Sequence, residues 1–187
     1  MKKTIVVTTT INVPTFLKLL CENAKQHHKE NISYIVIGDV KTPVEAQEYC
    51  NSLAGEFQVS IQYLDIPDQE KALADYKVLW DLMPLNDGVR KIIGNFLAYK
   101  EGCDRIIMID DDNYATRNDF FEFHNRVGTE VPIQHIHGAS GWYNICETMI
   151  EKNRIPFYPR GFPWSERFTT PEITKEEKTA KMVVNGG

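Results

Sequence analysis

The stretch RIIMIDDDNYA (105–115) sets three consecutive aspartates, Asp110, Asp111 and Asp112, directly behind four large apolar residues, Ile106 to Ile109. Three adjacent carboxylates repel one another, so a stable domain needs a reason to end a core strand that way. Side chains alternate along a strand, which puts Asp110 and Asp112 on one side and Asp111 on the other. Two carboxylates that converge are relieved by a cation, and oxygen-only ligation suits a hard ion, Mg²⁺ or Mn²⁺. Mg²⁺ keeps waters and substrate phosphates in its shell, and such an ion stabilises the charge that builds on a departing diphosphate. The expectation is therefore a metal at Asp110 and Asp112, with Asp112 also serving catalysis through it and Asp111 among the nucleotide-binding residues. The competing reading is a solvated turn with helix-capping duty, which Asn113 and Thr116 could share.

Other residues could complete such a site. TTTIN (8–12) closes an apolar β-branched run, and Thr8, Thr9 and Thr10 could hold a nucleoside or simply be strand residues. Asp39, ending SYIVIGD (33–39), could accept a hydrogen bond from a base N–H, or cap a turn. Arg90 and Lys91 lie in the helix before the aspartates, and Gly94 would let that helix approach closely. An arginine grips a phosphate bidentately and a lysine does not, so Arg90 is the preferred phosphate ligand, with Asn95 a weaker candidate. His135 and His137 alternate in QHIHG and form a possible metal pair. Lacking a cysteine or carboxylate at zinc spacing, they stand as substrate-pocket candidates. Trp142, Tyr143 and Asn144 could line a sugar pocket or pack a core. Arg160, in PRGFPW, should project from a loop stiffened by prolines, and Arg167 is a second phosphate candidate.

These residues need a frame. Apolar runs at 4–11, 33–39, 57–65 and 104–112 read as strands, and 15–28, 42–56, 69–83, 86–102 and 116–128 as helices. Thr42 is the expected cap of the second helix and Asn86 or Asp87 of the fourth. Strand and helix alternating at this spacing predict an α/β domain: a mostly parallel sheet, helices on both faces, ligands outside the carboxyl ends of the strands. After residue 131 the pattern weakens to a strand, a glycine turn and a helix, then a proline-rich loop, and TKEEKTAK (174–181) reads as a solvated face or a loosely held segment. MVVNGG stops as if just after a strand, which reads as a truncated or shortened chain.

The bulk numbers fit one soluble domain over 1–187. The chain has 187 residues, 42% hydrophobic and 25% charged. A net charge of −5 argues against a general nucleic-acid binder. No run approaches the roughly 20 apolar residues that span a bilayer. The four cysteines, Cys21, Cys50, Cys103 and Cys146, lack CxxC spacing, so free thiols in the cytoplasm and no structural zinc are expected.

An aspartate cluster behind a buried strand, after an N-terminal nucleotide-binding half, resembles the GT-A fold of glycosyltransferases. IDDDN, GWYNICETM and FYPRGFPWSER together resemble one family, the reversibly glycosylated polypeptides or UDP-arabinopyranose mutases. The likeness covers roughly residues 4–187, and its specificity rests on DDD and RGFPWSER taken together. It implies a GT-A-like fold, a UDP-linked sugar as ligand, a metal on the aspartates, and a longer chain carrying the acceptor pocket and a further metal-binding histidine. It also implies that Arg160 accepts the sugar reversibly. A guanidinium stays protonated, so that role needs a neighbouring carboxylate, and the other reading of Arg160 is a clamp on the diphosphate.

Two readings follow. The first is a Mn²⁺- or Mg²⁺-dependent transferase or mutase acting on a nucleoside-diphosphate sugar, with an unknown acceptor. The second is a non-catalytic sugar-nucleotide-binding subunit of a homo- or hetero-oligomer. A nucleotidyltransferase is a weaker third, since no glycine-rich phosphate loop is present.

Overall fold

The computed structural model describes residues 2–116, 118–149, 157–168 and 173–183. The chain groups into two compact units, Met1–Asn125 and Arg126–Gly187.

The first unit runs β1 (Thr4–Thr10), α1 (Phe16–Gln26), β2 (Ile32–Gly38), α2 (Glu45–Phe57), β3 (Ser60–Leu64), α3 (Ile66–Ala72), α4 (Lys77–Leu82), α5 (Lys91–Lys100), β4 (Arg105–Met108) and α6 (Phe120–His124). Its four strands are all parallel, in the order β3-β2-β1-β4. Strand alternation divides the core in two. Val6, Tyr34, Val36 and Ile107 face α1, α2 and α6 through Leu17, Leu20, Leu53 and Phe121. Ile5, Val7, Ile35 and Ile37 pack on the other face against Leu73, Ile93 and Ala98. This is an α/β unit with helices on both faces, as the spacing predicts.

Connection handedness accounts for the layering. The chain moves outward from β1 to β3 with α1 and α2 on one face. It returns to pair β4 with β1 through α3, α4 and α5 on the other face, which keeps the crossovers right-handed. The reversal leaves a switch point between the carboxyl ends of β1 and β4. Gly94 lets α5 lie close there, since an added Cβ would come within 2.5 Å of a Val7 methyl.

Several boundaries differ from the sequence reading. The expected helix over 69–83 is two helices, α3 and α4, separated by a turn at Ala74–Tyr76. Asp65 caps α3 by accepting from the Asp68 N–H at 2.8 Å. The last helix shrinks to Phe120–His124, where Asp119 accepts from the N–H groups of Phe121 and Glu122. Thr42 does not cap α2, which starts at Glu45 with no side-chain cap. Asp87 does act as expected, accepting from the Val89 N–H ahead of α5.

In the second unit, β5 (Glu130–Gly138) pairs antiparallel with β6 (Ile173–Lys181). The lysine- and glutamate-rich segment is thus a strand in register with a partner, although its composition disfavours one. A glycine turn follows β5 and leads to a short 3₁₀ turn at Ile145–Met149, where a helix was expected. The end of the chain, 184–187, lies outside the described residues. No helix among the described residues is long and apolar enough to cross a membrane.

Candidate functional site

β4 keeps its ladder with β1 as far as Met108, and the Ile109 N–H adds one more bond to the Val7 carbonyl at 3.1 Å. The aspartates then form a turn rather than a strand. Asn113 donates its backbone N–H to the Asp110 carbonyl at 3.1 Å and accepts the Asp110 N–H on Oδ1 at 3.2 Å. Its Nδ2 donates to Asp112 Oδ1 at 3.2 Å. Strand alternation therefore does not govern these carboxylates, and the expected convergence of Asp110 and Asp112 on one strand face is corrected. Each aspartate has its own surroundings.

Asp111 is half-buried and faces β1. Its Oδ2 accepts the Thr10 hydroxyl at 2.8 Å and the Asn12 amide at 3.5 Å. Thr10 Oγ1 in turn accepts the Asn12 N–H at 3.0 Å. The Thr10 carbonyl accepts the Thr42 hydroxyl at 2.6 Å, and Thr42 Oγ1 accepts the Asp39 N–H at 2.7 Å. One hydrogen-bonded line thus joins the carboxyl ends of β2, β1 and β4. Asp112 is exposed. Asp110 is exposed too, with a side chain 71% accessible, and pairs with Lys91, whose side chain is only 13% accessible. Lys91 opens α5, where the helix dipole disfavours a cation. The carboxylate beside it offsets that cost.

The remaining nucleotide-site candidates divide. Of the three threonines only Thr10 reaches the aspartates. Thr8 is buried with its hydroxyl on the Thr9 carbonyl, and the Thr9 hydroxyl donates across to the Ile37 carbonyl of β2. Asp39 is 7% exposed, and its two oxygens accept the N–H groups of Val40 and Asp87, so it ties the end of β2 to the start of the α5 segment. That is the turn role rather than an open acceptor.

Arg90 is corrected outright. It is fully buried. Its Nε and Nη2 donate to Gln69 Oε1 at 3.2 and 2.5 Å, and its Nη1 to the carbonyls of Met83 and Pro84 at 3.2 Å. The guanidinium also lies 5.2 Å from the Trp80 ring centroid. Burial pulls its pKa down from the ordinary arginine value, with Asp39 opposing that shift. A guanidinium so enclosed holds the core together and has no face for a phosphate. The cation that does face the aspartates is its neighbour, Lys91. Asn95 donates to the Met108 sulfur, and its buried Oδ1 has no partner among the described residues.

In the second unit the Phe162 N–H donates to the Pro159 carbonyl at 3.1 Å, closing a turn with Arg160 and Gly161 at its tip. Gly161 has φ +84°, the left-handed value a type II turn requires at that position. Arg160 is exposed there. Arg167 is not free for a phosphate: its guanidinium stacks 4.3 Å from the Trp164 ring and 5.6 Å from Tyr158, and it donates to the Phe162 carbonyl at 3.2 Å. Asn144 is buried and structural, donating to the Phe157 carbonyl and accepting the Cys146 N–H. Trp142 is half-exposed, edge-on to Phe162.

Neither the family models nor the curated proteins compared with this chain give a match.

Sequence reasoning missed Asn12 and Thr42 among the residues around the acidic turn, and gave Asn113 only a helix-capping role in it. All three are short polar residues beside strand ends, where such side chains bond locally to backbone. It also missed Glu176 as a partner of the histidine pair. One ligand atom each from His135, His137 and Glu176 lie within 4.8 Å of one another. Among the described residues this is the one group of three such side chains placed to share an ion.

Proposed function

We propose that the chain binds a nucleoside-diphosphate sugar at the carboxyl ends of β1 and β4, and that Mn²⁺ or Mg²⁺ joins Asp110 and Asp112 to the diphosphate. The observation that carries this reading is the placement of the acidic turn at the switch point of a parallel sheet, with Lys91 on Asp110 and Thr10 and Asn12 on Asp111. A hard ion needs only one or two protein carboxylates when phosphates and water complete its shell. Two exposed carboxylates on a turn fit that demand. With an ion on Asp110, Lys91 would be released to pair with a phosphate oxygen. Asp111 holds the turn in register with β1.

The resemblance to the UDP-arabinopyranose mutase family supports a GT-A-like fold and a UDP-linked sugar, with transfer or ring-form isomerisation as the reaction. In that reaction the anomeric C–O bond breaks with its electron pair going to the diphosphate, and the anomeric carbon bonds to an acceptor oxygen or, after the change of ring form, to the diphosphate again; an ion held by Asp110 and Asp112 would supply stabilisation of the diphosphate charge. A sugar-accepting or diphosphate-clamping role for Arg160, which is exposed at its turn in the second unit, is what the resemblance implies. The second reading, a non-catalytic binding subunit, has its own support. Asp111 is engaged by Thr10 and Asn12, and Asp110 by Lys91. Contacts of this kind position carboxylates to bind a ligand.

Thermal-shift titration with UDP, GDP and dTDP sugars, with and without Mn²⁺, tests the proposal. UDP sugars should raise the melting temperature only with the metal present, and Asp112→Asn should remove the effect. Stabilisation that ignores metal would refute it. Turnover of a UDP-sugar separates enzyme from binding subunit.

A further inference from the structure

We propose that the β5–β6 ribbon carries a second ion site, built from His135, His137 and Glu176, for a borderline divalent ion of the Zn²⁺ type that staples the two strands together. It is independent of the acidic turn in both donor chemistry and unit.

The register makes the site. Strand periodicity sets His135 and His137 on one face of β5, and the antiparallel pairing places Glu176 directly opposite His135. The two imidazole rings stand 4.2 Å apart between centroids at 66°. The three ligand atoms fall within 4.8 Å of one another, and tetrahedral zinc with nitrogen and oxygen ligands needs about 3.3 Å between them. Rotation of the exposed His137 and Glu176 side chains toward half-buried His135 closes that difference. Two imidazoles and a carboxylate suit zinc and its first-row neighbours, whereas the oxygen-only acidic turn suits Mg²⁺ or Mn²⁺.

A cation already sits against these groups. Lys178 Nζ lies 2.9 Å from Glu176 Oε2 and 3.2 Å from His135 Nδ1. One carboxylate oxygen and one imidazole nitrogen therefore converge on a single positive centre. A divalent ion bound by the two histidines and Glu176 would displace that ammonium.

The ribbon has a use for such an ion. Each strand is nine residues long, and β6 reads ITKEEKTAK, nearly all exposed. A two-stranded ribbon is marginal alone, and lysine and glutamate are poor strand formers. Coordination across the strands adds binding free energy directly to the paired state.

The test is Co²⁺ titration of the tag-free full chain, followed by visible absorption, with Zn²⁺ in competition. Asp110→Asn/Asp112→Asn is the background, so that binding at the acidic turn cannot contribute. The expected result is one ion per chain without a thiolate charge-transfer band, displaced by Zn²⁺. His135→Ala and His137→Ala should each weaken binding at least about tenfold, and Lys178→Ala should leave it intact or tighter. Zn²⁺ should also slow hydrogen exchange of the β6 amides. Less than one ion per chain, binding indifferent to both histidine substitutions, or unchanged β6 exchange would overturn the proposal. None of these outcomes depends on UDP binding, so this site and the sugar-nucleotide site stand or fall separately.

Discussion

The two units hold their strands by different means. In the first, every strand lies between helix layers, and Ile5, Val7, Leu17, Leu20, Val36 and Ile37 are essentially inaccessible. In the second, among the described residues, β5 and β6 pair with each other alone, and the buried side chains are few: Asn144, Cys146 and Phe162. A layered core fixes a strand by area removed from water. A ribbon relies on backbone pairing and cross-strand contacts. The first unit can therefore carry a strained cluster of like charges at its edge, while the second needs local devices such as turns, stacked rings and, by the inference above, an ion.

The sharpest way to break this comparison is a matched pair of truncations. Leu17→Ala, at 0% exposure, should destabilise the first unit by about 2–5 kcal/mol in urea unfolding. Ile133→Ala on β5, 37% exposed, should cost less than about 1 kcal/mol. Equal costs would mean that the ribbon has a core of its own.

A second pair tests the division of labour between neighbouring cations. Arg90→Met strands the Gln69 Oε1 and two backbone carbonyls, and should cost on the order of 3 kcal/mol. Lys91→Met should change stability by less than about 1 kcal/mol, since Asp110 is left in water, but should weaken metal-dependent UDP binding. The reverse pattern would return Arg90 to the site.

The same pair shows what the sequence could convey. β1, β2 and β4 were legible because buried parallel strands are continuous apolar runs, and the aspartates could be placed because a strand of that kind must end at a sheet edge. Arg90 and Lys91 could not be told apart, because consecutive helical residues point about 100° apart and only the packed structure says which direction is inward. β6 was hidden for a related reason. ITKEEKTAK carries no apolar face, and its strand character comes from pairing with β5. Glu176 belongs with His135 and His137 through that same pairing, which no local spacing can reveal. The turn of 110–113 broke the alternation argument because Asn113 bonds back to Asp110, a local contact that sets in as soon as the ladder stops.

A smaller effect is expected from His124 on α6, half-buried and 5.3 Å from the Phe120 ring centroid. Burial, aided by Arg105, holds its pKa below the ordinary 6.5. The unfolded chain takes up a proton near 6.5 and the folded chain only at lower pH. Stability of the first unit should therefore fall as pH drops below 6.5, through the window down to the folded value. His124→Gln should flatten that part of the profile in urea unfolding at graded pH. An unchanged slope would assign the loss to other groups.

The central claim is that the acidic turn grips a divalent ion which in turn grips a diphosphate. Free Mn²⁺ measured by electron paramagnetic resonance, with and without UDP, tests it most directly in the parent chain and in Asp110→Asn/Asp112→Asn. UDP should tighten Mn²⁺ binding to the parent by at least about tenfold, the size of a typical coupling between two ligands, and the double substitution should abolish that tightening. Mn²⁺ binding unmoved by UDP, or equal in both proteins, would contradict the account.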